Sequence, residues 1–265
     1  MSNQPKISVV IPTFNRAQML TQAIESVLSQ TMQAEIIVVN HGSTDETDQI
    51  VRKFGEKIIY VKRDNDFGPH FCWLEGVLHS KGDLVHLQYD DDWIEQTFLE
   101  ECVDVMDADT GFVFSCAQVI NDKTGDVHLN LFDEWLPNTG IYLTQEVEQK
   151  ILSSLVSPAA AIYRKQLLVD ALYQGRLPLS NNDYHGVGPD CFVTLLSMLR
   201  YPKVGYVKKP LAKFRMHSGS ITIAAGQNAE KQKRINLAYA EVKRYYLEMK
   251  WLLDARKRQG VHNGQ

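Results

Sequence analysis

The first hundred residues alternate short apolar runs with amphipathic segments, and this alternation limits the chain to few folds. The apolar runs are rich in β-branched residues and lie at 7–11, 35–39, 58–61 and 84–89. Such runs are typical of parallel strands that are buried on both faces. The segments between them carry apolar residues at helical spacing, as in AQMLTQAIESVLSQ. We therefore expect an α/β fold with a doubly wound, mostly parallel sheet flanked by helices.

After about residue 105 the alternation is less regular. TGFVFSCAQVI predicts a further strand, QEVEQKILSSL, RKQLLVDAL and CFVTLLSMLR predict helices, and LPLSNNDYHGVGPD predicts an irregular loop. The tail from about 228 to 258 has one long helical pattern with apolar positions among many basic ones. We interpret it as a packing helix, with a membrane-surface or partner-binding helix as the alternative.

Composition excludes several classes of function. The 265 residues, 44% of them hydrophobic, suffice for one large domain or two closely packed halves. A net charge of -4 and a pI near 6.1 give no general attraction to nucleic acid, so no nucleic-acid partner is expected. The four cysteines form no CxxC pair, which argues against a zinc knot and fits reduced thiols in the cytosol. Because no run of 18 apolar residues occurs, we expect a soluble protein.

Four polar segments follow the predicted strands, at the ends where sheets of this kind bind ligands. They are Pro12 to Arg16, Asn40 to Ser43, Arg63 to Gly68, and Asp90 to Asp92. We expect all four to line one crevice. Adjacent carboxylates raise one another's pKa unless a positive charge lies between them. The aspartate cluster, Asp90 to Asp92, therefore predicts a bound cation of the oxygen-preferring kind, Mg²⁺ or Mn²⁺. A solvated acidic turn is the alternative.

The chain resembles the inverting family 2 glycosyltransferases, whose fold is called GT-A. The resemblance rests on SVVIPTFNRAQMLTQAIESVLSQT, VVNHGSTDET, the aspartate cluster, GPD at 188–190 and PLAKFRMHSGSIT, in that order. It implies a GT-A type sheet and transfer of a sugar from a nucleoside-diphosphate donor to a glycan or lipid-linked acceptor. It also implies a nucleotide-sugar-binding half at 1–105, an acceptor-binding and catalytic-base half of the same domain at 106–227, and a C-terminal helical tail at 228–265.

The resemblance assigns roles to the aspartate cluster and to one histidine. Family members bind the donor ribose and a divalent cation, Mn²⁺ or Mg²⁺, at this position. Asp91 matches the metal-binding position best, Asp90 matches the ribose neighbour, and Asp92 and His217 are further candidate metal ligands. Tyr89 stands where the commonest form of the motif has its first acid. The cation would stabilise the charge that develops as the bond between sugar and diphosphate breaks.

The remaining donor contacts that the resemblance implies lie in several loops. They are Pro12, Thr13 and Asn15 around base and ribose, Asn40 at the base, Asp66, and Arg215 at the diphosphate. Asn40 replaces the acid that usually accepts the N–H of uracil, and its side-chain carbonyl can accept the same bond. UDP therefore stays a candidate for the donor nucleotide, and dTDP becomes a stronger candidate than it is for most of the family. Trp73 and Leu74 replace a common Arg-Asn pair, which leaves the donor sugar open.

An inverting transfer needs one general base beside the acceptor hydroxyl. The resemblance places that base at Asp190, where Pro189 replaces the usual Glu. Asp183 is the competing candidate, and a helix N-cap is the structural alternative for Asp190. We also expect a mobile closure around 219–226, because a lid protects the donor from water.

Two other functions stay open. A catalytically degenerate nucleotide-binding module is motivated by Asn40 and the Trp73-Leu74 pair. A sugar nucleotidyltransferase is disfavoured because PTFNRAQ has no glycine for holding a triphosphate. Surface polysaccharide or lipid-linked glycan assembly is what the resemblance most often implies. That assembly predicts a cytoplasmic protein, with peripheral contact of the tail helix at the inner membrane face.

Overall fold

The computed structural model describes residues 6–174, 187–220 and 228–258. The strands are β1 (Ile7–Thr13), β2 (Glu35–His41), β3 (Ile59–Arg63), β4 (Leu84–Leu87), β5 (Trp93–Ile94), β6 (Thr110–Asn121), β7 (Val127–Leu131), β8 (Gly140–Leu143), β9 (Ala161–Arg164) and β10 (Lys203–Met216). The helices are α1 (Ala17–Leu28), α2 (Thr47–Arg52), α3 (Pro69–His79), α4 (Phe98–Asp104), α5 (Thr144–Ser153), α6 (Lys165–Gln174), α7 (Pro189–Arg200) and α8 (Ala229–Arg258).

All ten strands of the described residues belong to one sheet. Its main path runs β3-β2-β1-β4-β9-β6-β10-β5, with β7 paired to β6 and β8 paired to β10. The first four strands pair in parallel, as do β6 and β10. Strands β5, β7, β8 and β9 join by antiparallel pairing. The predicted α/β class, with helices flanking the sheet and a C-terminal helix, is confirmed.

The parallel half of the sheet forms because its strands are buried on both faces. All seven residues of β1 are buried, and so are six of the seven in β2. Helix α3 packs closely over β1: a Cβ atom at Gly76 would lie 2.2 Å from Val10 Cγ1. Only glycine permits this approach, which keeps the N-terminal end of α3 over the carboxyl ends of the strands.

Strand β10 is longer than the sequence pattern indicates. Its apolar alternation is interrupted at Lys208, Lys209 and Pro210, where the register against β6 shifts twice. A bulge adds a residue to one strand and reverses the alternation of faces beyond it, so a period of two is not visible along the whole element. The second half of β10 carries Arg215 to the edge where the aspartate cluster lies.

Helix α8 packs one face against the second half of the chain. Its buried side chains are Ile235, Ala238, Val242 and Tyr246. Tyr246 and Lys250 both donate hydrogen bonds to the buried carboxylate of Glu148 on α5. The interpretation as a packing helix is thus confirmed for this face. Within the described ranges, no helix is both long enough and apolar enough to span a membrane.

Candidate active site

The loops after β1 and β2 hold each other in place. Asn15 has a left-handed backbone, with φ of 54°, a conformation that Asn tolerates better than most residues. Its side-chain oxygen accepts the Thr44 backbone N–H at 2.8 Å, and its own N–H donates to Ser43 Oγ at 2.9 Å. Asp45 Oδ2 accepts the Ala17 N–H at the start of α1 at 3.0 Å. The predicted donor contact Asn15 therefore joins the two loops.

The loop after β3 closes against the loop after β2. The Gly42 N–H donates to the Arg63 carbonyl at 2.8 Å, and a Cβ at Gly42 would lie 3.0 Å from the Asp64 carbonyl oxygen. Asp66 is exposed and its Oδ1 accepts the Gly68 N–H at 2.7 Å, which forms the turn before α3. These polar segments therefore meet at one edge of the sheet.

An arginine lies among the clustered carboxylates. Arg16 Nη1 donates to Asp90 Oδ1 at 3.1 Å and also to Asp91 Oδ2. His217 Nε2 lies 3.1 Å from the same Asp91 oxygen. The role of Arg16 was missed from the sequence, because its spacing to the acids along the chain gives no local signal. Its position beside Asn15 in the first strand's loop is the only hint.

The three carboxyls differ in their electrostatics. Burial raises the pKa of Asp90 to about 6, although the charge of Arg16 acts in the opposite direction. Burial, together with the neighbouring Asp91 charge, raises the pKa of Asp92 well above its ordinary value. Burial also acts to raise the pKa of Asp91, but the hydrogen bond with His217 and the charge of Arg16 outweigh it and lower that pKa. The cluster therefore holds one carboxylate, that of Asp91, in its ionised form.

A divalent cation fits the ionised carboxylate of Asp91, whose oxygens are the ligand type that Mg²⁺ and Mn²⁺ prefer. His217 Nε2 lies 3.1 Å from Asp91 Oδ2, and it would become a second ligand on giving up the proton of that hydrogen bond. In the part of the chain that the structure describes, no group of three or more His, Cys, Asp or Glu side chains is arranged to hold a metal ion. The site would therefore take its remaining ligands from water or from a bound diphosphate.

The other two residues predicted for this region are engaged within the protein. Asp92 Oδ1 accepts the Arg215 backbone N–H at 2.9 Å. The Arg215 guanidinium donates to the Asp91 carbonyl at 2.9 Å and to side chains of Asp122 and Gln22. The same group lies 5.0 Å from the centroid of the Trp93 ring. The predicted roles of Asp92 at the metal and Arg215 at phosphate remain predictions.

The residues at the ends of β1 and β2 are buried. Pro12 pairs in register with Val39, and Thr13 pairs with Asn40. The Asn40 amide donates to the Tyr60 hydroxyl at 2.8 Å, and its side-chain oxygen accepts the Ser43 N–H at 3.0 Å. Both ends of Asn40, the predicted base contact, are therefore hydrogen-bonded within the protein.

His41 is a further candidate that the sequence analysis did not single out. It is buried, and its Nε2 lies 3.1 Å from Glu75 Oε2. Arg63 donates to the same carboxylate at 2.9 Å and lowers the pKa of Glu75. Because an ionised carboxylate only accepts hydrogen bonds, His41 Nε2 must carry the proton. Its Nδ1 has no hydrogen-bond partner among the described residues.

Two departures from the family motifs lie against each other. Trp73 is only 5% exposed, and its ring stacks on that of Tyr89 with the centroids 5.8 Å apart. An aromatic pair thus occupies positions 73 and 89, where the family resemblance implies a polar residue and an acid. Since each aromatic ring covers the other, the two substitutions compensate each other in packing.

Asp190 lies in the first turn of α7, beyond Gly188, whose φ is 104°. Its Oδ1 accepts the backbone N–H groups of Gly188 at 2.9 Å and Cys191 at 2.7 Å. The N-cap position belongs to Gly188, so Asp190 is not the N-cap residue. Burial raises the pKa of Asp190 to about 6, although these N–H groups oppose the shift. The competing candidate Asp183 and residues 221–226 of the predicted closure lie outside the described residues.

A family model described as glycosyl transferase family 2 matches residues 8–171. With more than half of its length matched, the chain belongs to glycosyl transferase family 2, as its motifs predicted.

Two curated relatives extend this match. Glycosyltransferase GlyA of Streptococcus pneumoniae serotype 4 is 25% identical over 228 residues, which are 82% of this chain and 31% of GlyA. The GalNAc(5)-diNAcBac-PP-undecaprenol beta-1,3-glucosyltransferase of Campylobacter jejuni is 26% identical over 246 residues, 90% of this chain and 73% of that protein. The chain therefore spans about a third of the first relative and nearly three quarters of the second.

Solved structures of S. aureus TarS 1-349 share the fold. The complex with UDP-GlcNAc has a TM-score of 0.64 at 21% identity, covering 88% of this chain and 66% of that one. The complex with UDP has a TM-score of 0.61 at 20% identity, covering 88% and 65%. The predicted GT-A type of fold is thereby confirmed.

Proposed function

We propose that the protein is a metal-dependent inverting glycosyltransferase, which moves a sugar from a nucleoside-diphosphate donor to a hydroxyl of a glycan or lipid-linked acceptor. The observation that carries this proposal is the buried aspartate cluster at the carboxyl edge of the sheet, with Asp91 and His217 3.1 Å apart. Family membership supports the reaction class. The UDP-GlcNAc named with TarS and the undecaprenol-linked acceptor named for the C. jejuni relative support donor and acceptor classes, and surface polysaccharide assembly as the setting.

Each part of this reaction has a candidate residue. Asp91 and His217 would hold the cation, with Asp92 beside them, and Asp90 would order the ribose. A bound cation supplies a Lewis acid for the charge on the leaving diphosphate. Asp190 takes the proton of the acceptor hydroxyl as that oxygen bonds to the anomeric carbon. A pKa of about 6 leaves Asp190 ionised at neutral pH and still basic enough to accept a proton.

Two of the departures that motivate the degenerate-module alternative have a place in the packing of the protein. Trp73 is a core side chain stacked on Tyr89, and Asn40 is hydrogen-bonded to Tyr60 and Ser43. A degenerate module would also have no use for a buried carboxyl such as Asp190, which costs stability when ionised. The nucleotidyltransferase alternative gains no support, because the loop after β1 is closed by Asn15 rather than by glycine.

For the donor base we propose uracil or thymine, read by His41. In the tautomer with its proton on Nε2, the His41 ring offers a lone pair at Nδ1, which has no partner among the described residues. Uracil and thymine present an imide N–H that such a lone pair accepts. Cytosine presents a lone pair at the same ring position and would leave the buried His41 nitrogen unsatisfied, which is costly.

We expect UDP or dTDP to bind about tenfold or more tightly than CDP in the presence of Mn²⁺, as measured by calorimetry. His41→Leu should reduce this difference to about twofold, because the acceptor is lost. His79→Leu, at the exposed histidine near the same Glu75, is the matched control and should retain it. Equal binding of UDP and CDP by the unaltered protein would refute the base assignment.

We further propose that the outer face of α8 contacts an anionic membrane surface. Leu247, Trp251 and Leu252 are 49%, 64% and 50% exposed on this helix. Residues 229–258 carry nine Lys and Arg against four Asp and Glu, in a chain whose net charge is -4. Exposed apolar side chains next to basic ones fit the boundary between lipid headgroups and acyl chains. Such contact fits a lipid-linked acceptor and the location at the inner membrane face that the sequence predicts.

Vesicle sedimentation tests this contact. The protein should bind vesicles that contain phosphatidylglycerol and phosphatidylcholine, and bind phosphatidylcholine alone about tenfold less. Trp251→Glu should lower binding to the anionic vesicles about tenfold, because the aromatic anchor is lost and a like charge is added. Leu129→Glu, at an exposed apolar residue on β7, is the control and should bind normally. Equal loss in both variants, or no loss in either, would contradict the assignment to α8.

A further inference from the structure

The segment that carries Asp190 rests on helix α8. Val187 packs with Ile235 and Ala238 of α8 in a small apolar cluster. At the next residue, a Cβ on Gly188 would lie 3.4 Å from Val242 Cγ2, so the backbone itself lies against the helix. The left-handed φ of Gly188 turns the chain from this contact into α7. Helix α8 therefore supports the segment from which α7 begins.

A side chain of α8 also reaches the carboxylate directly. The Tyr239 hydroxyl donates to Asp190 Oδ2 at 3.0 Å. Oδ1 already accepts two backbone N–H groups, from Gly188 and Cys191. An ionised carboxylate offers about four acceptor positions, two on each oxygen. In the contacts of the described residues, three are occupied and one position on Oδ2 remains for a proton donor.

We propose that Tyr239 is a positioning residue for the base Asp190: its hydroxyl fixes the carboxylate so that one lone pair of Oδ2 faces the acceptor hydroxyl. This inference rests on the proposed function, and it assigns a role in the reaction to a helix that lies beyond the part of the chain matched by the family model. Without the hydroxyl, the two N–H bonds to Oδ1 still hold one oxygen, but Oδ2 has no donor among the described residues. The carboxylate then loses both its fixed orientation and a bond that favours its ionised form.

The other groups around Asp190 do not replace Tyr239. Tyr89 at the end of β4, Tyr163 on β9 and Cys191 on α7 lie close enough for the Asp190 charge to raise their pKa further, beyond the effect of burial. All three are therefore neutral near pH 6. Lys243 on α8 is a cation close enough to act on Cys191. None of these side chains donates a hydrogen bond to Asp190 in the described structure.

The test compares Tyr239→Phe with Tyr246→Phe. Both changes remove one hydroxyl that donates to a buried carboxylate from the same helix, but Tyr246 binds Glu148, away from the site. Transfer is measured between pH 5 and 8 with saturating donor, and donor affinity is measured by calorimetry. In Tyr239→Phe we expect kcat to fall about tenfold and donor affinity to stay within twofold. The acidic limb of the pH–rate profile, which is the range where the rate rises with pH, should move up by about one pH unit. Tyr246→Phe should leave the limb in place.

The shift of the acidic limb distinguishes a positioning role of Tyr239 from a role in stabilising the fold. Because burial also raises the pKa of Asp90 to about 6, the acidic limb alone does not identify the titrating acid, and its position is compared between the two variants. Among the described acids of the site, Tyr239 donates a hydrogen bond to Asp190. If Tyr239→Phe matches Tyr246→Phe in kcat and in the limb while Asp190→Asn is inactive, the inference is overturned and the proposed base stands. If Asp190→Asn retains normal turnover, the base assignment in the proposed function fails, and the role of Tyr239 fails with it.

Discussion

Asp190→Asn is expected to lower kcat by about 10³-fold while the affinity for the nucleotide donor stays within about twofold. The substitution keeps the size of the side chain, and the Asn oxygen can still accept the N–H groups of Gly188 and Cys191. The fold of the first turn of α7 is therefore preserved. What is lost is the basicity of Oδ2, because an amide does not accept a proton at neutral pH.

Single-turnover transfer and calorimetric donor binding check this result in parallel. Because burial raises the pKa of Asp190 to about 6, the base is protonated and inactive below that pH. The rate in the unaltered protein should therefore rise as pH increases from 5 and level off above about 7. Asp170→Asn, at the half-buried partner of Arg200, is the control and should transfer normally. Unchanged turnover in Asp190→Asn would move the base to Asp183 or elsewhere.

Asp91→Asn is expected to weaken UDP binding in the presence of Mn²⁺ by about 100-fold, to the level that the unaltered protein has in EDTA. Of the three clustered carboxyls, only Asp91 has a lowered pKa, so it is the one that supplies a fixed negative charge to a cation. An Asn oxygen can still accept hydrogen bonds from Arg16 and His217. The neutral amide, however, binds a hard cation far more weakly than a carboxylate does.

Calorimetry with UDP in Mn²⁺ and in EDTA is the measurement, with thermal unfolding to verify that the variant folds. Asp126→Asn, in the exposed turn between β6 and β7, is the matched control and should keep the full effect of Mn²⁺. Should Asp91→Asn bind UDP as tightly as the unaltered protein in Mn²⁺, the cation site is assigned to the wrong residue. Equal binding by the unaltered protein in Mn²⁺ and EDTA would instead refute metal dependence itself.

Arg16 offsets part of the repulsion within the aspartate cluster. Its guanidinium bonds to both Asp90 and Asp91, so the positive charge that the sequence requires is supplied in part by the chain itself. A cation bound at Asp91 would compete with Arg16 for the same carboxylate oxygen. The planar donor fork of Arg16 is also of the kind that binds phosphate oxygens.

The sequence by itself determined the parallel half of the sheet and the chemistry at its edge. The apolar runs of β1, β2 and β4 and the helical pattern of α1 are set by local burial, and burial has a period that can be read along the chain. Parallel strands bring their carboxyl ends to one edge, so the convergence of the loops also followed from local patterns. Strand β10 could not be predicted in the same way, because its bulge interrupts the two-residue alternation of buried and exposed side chains.

Only the tertiary structure decided which side chains meet at that edge. Arg16 reaches acids 74 and 75 residues away, and Tyr239 reaches Asp190 across 49 residues. His41 takes its tautomer from Glu75, 34 residues further on. Hydrogen-bond partners so distant in sequence leave no periodic trace, because they depend on the path of the whole chain rather than on local burial. The residue types of the site were therefore readable from the sequence, whereas their partners, and with them the pKa of each acid, were fixed by the fold.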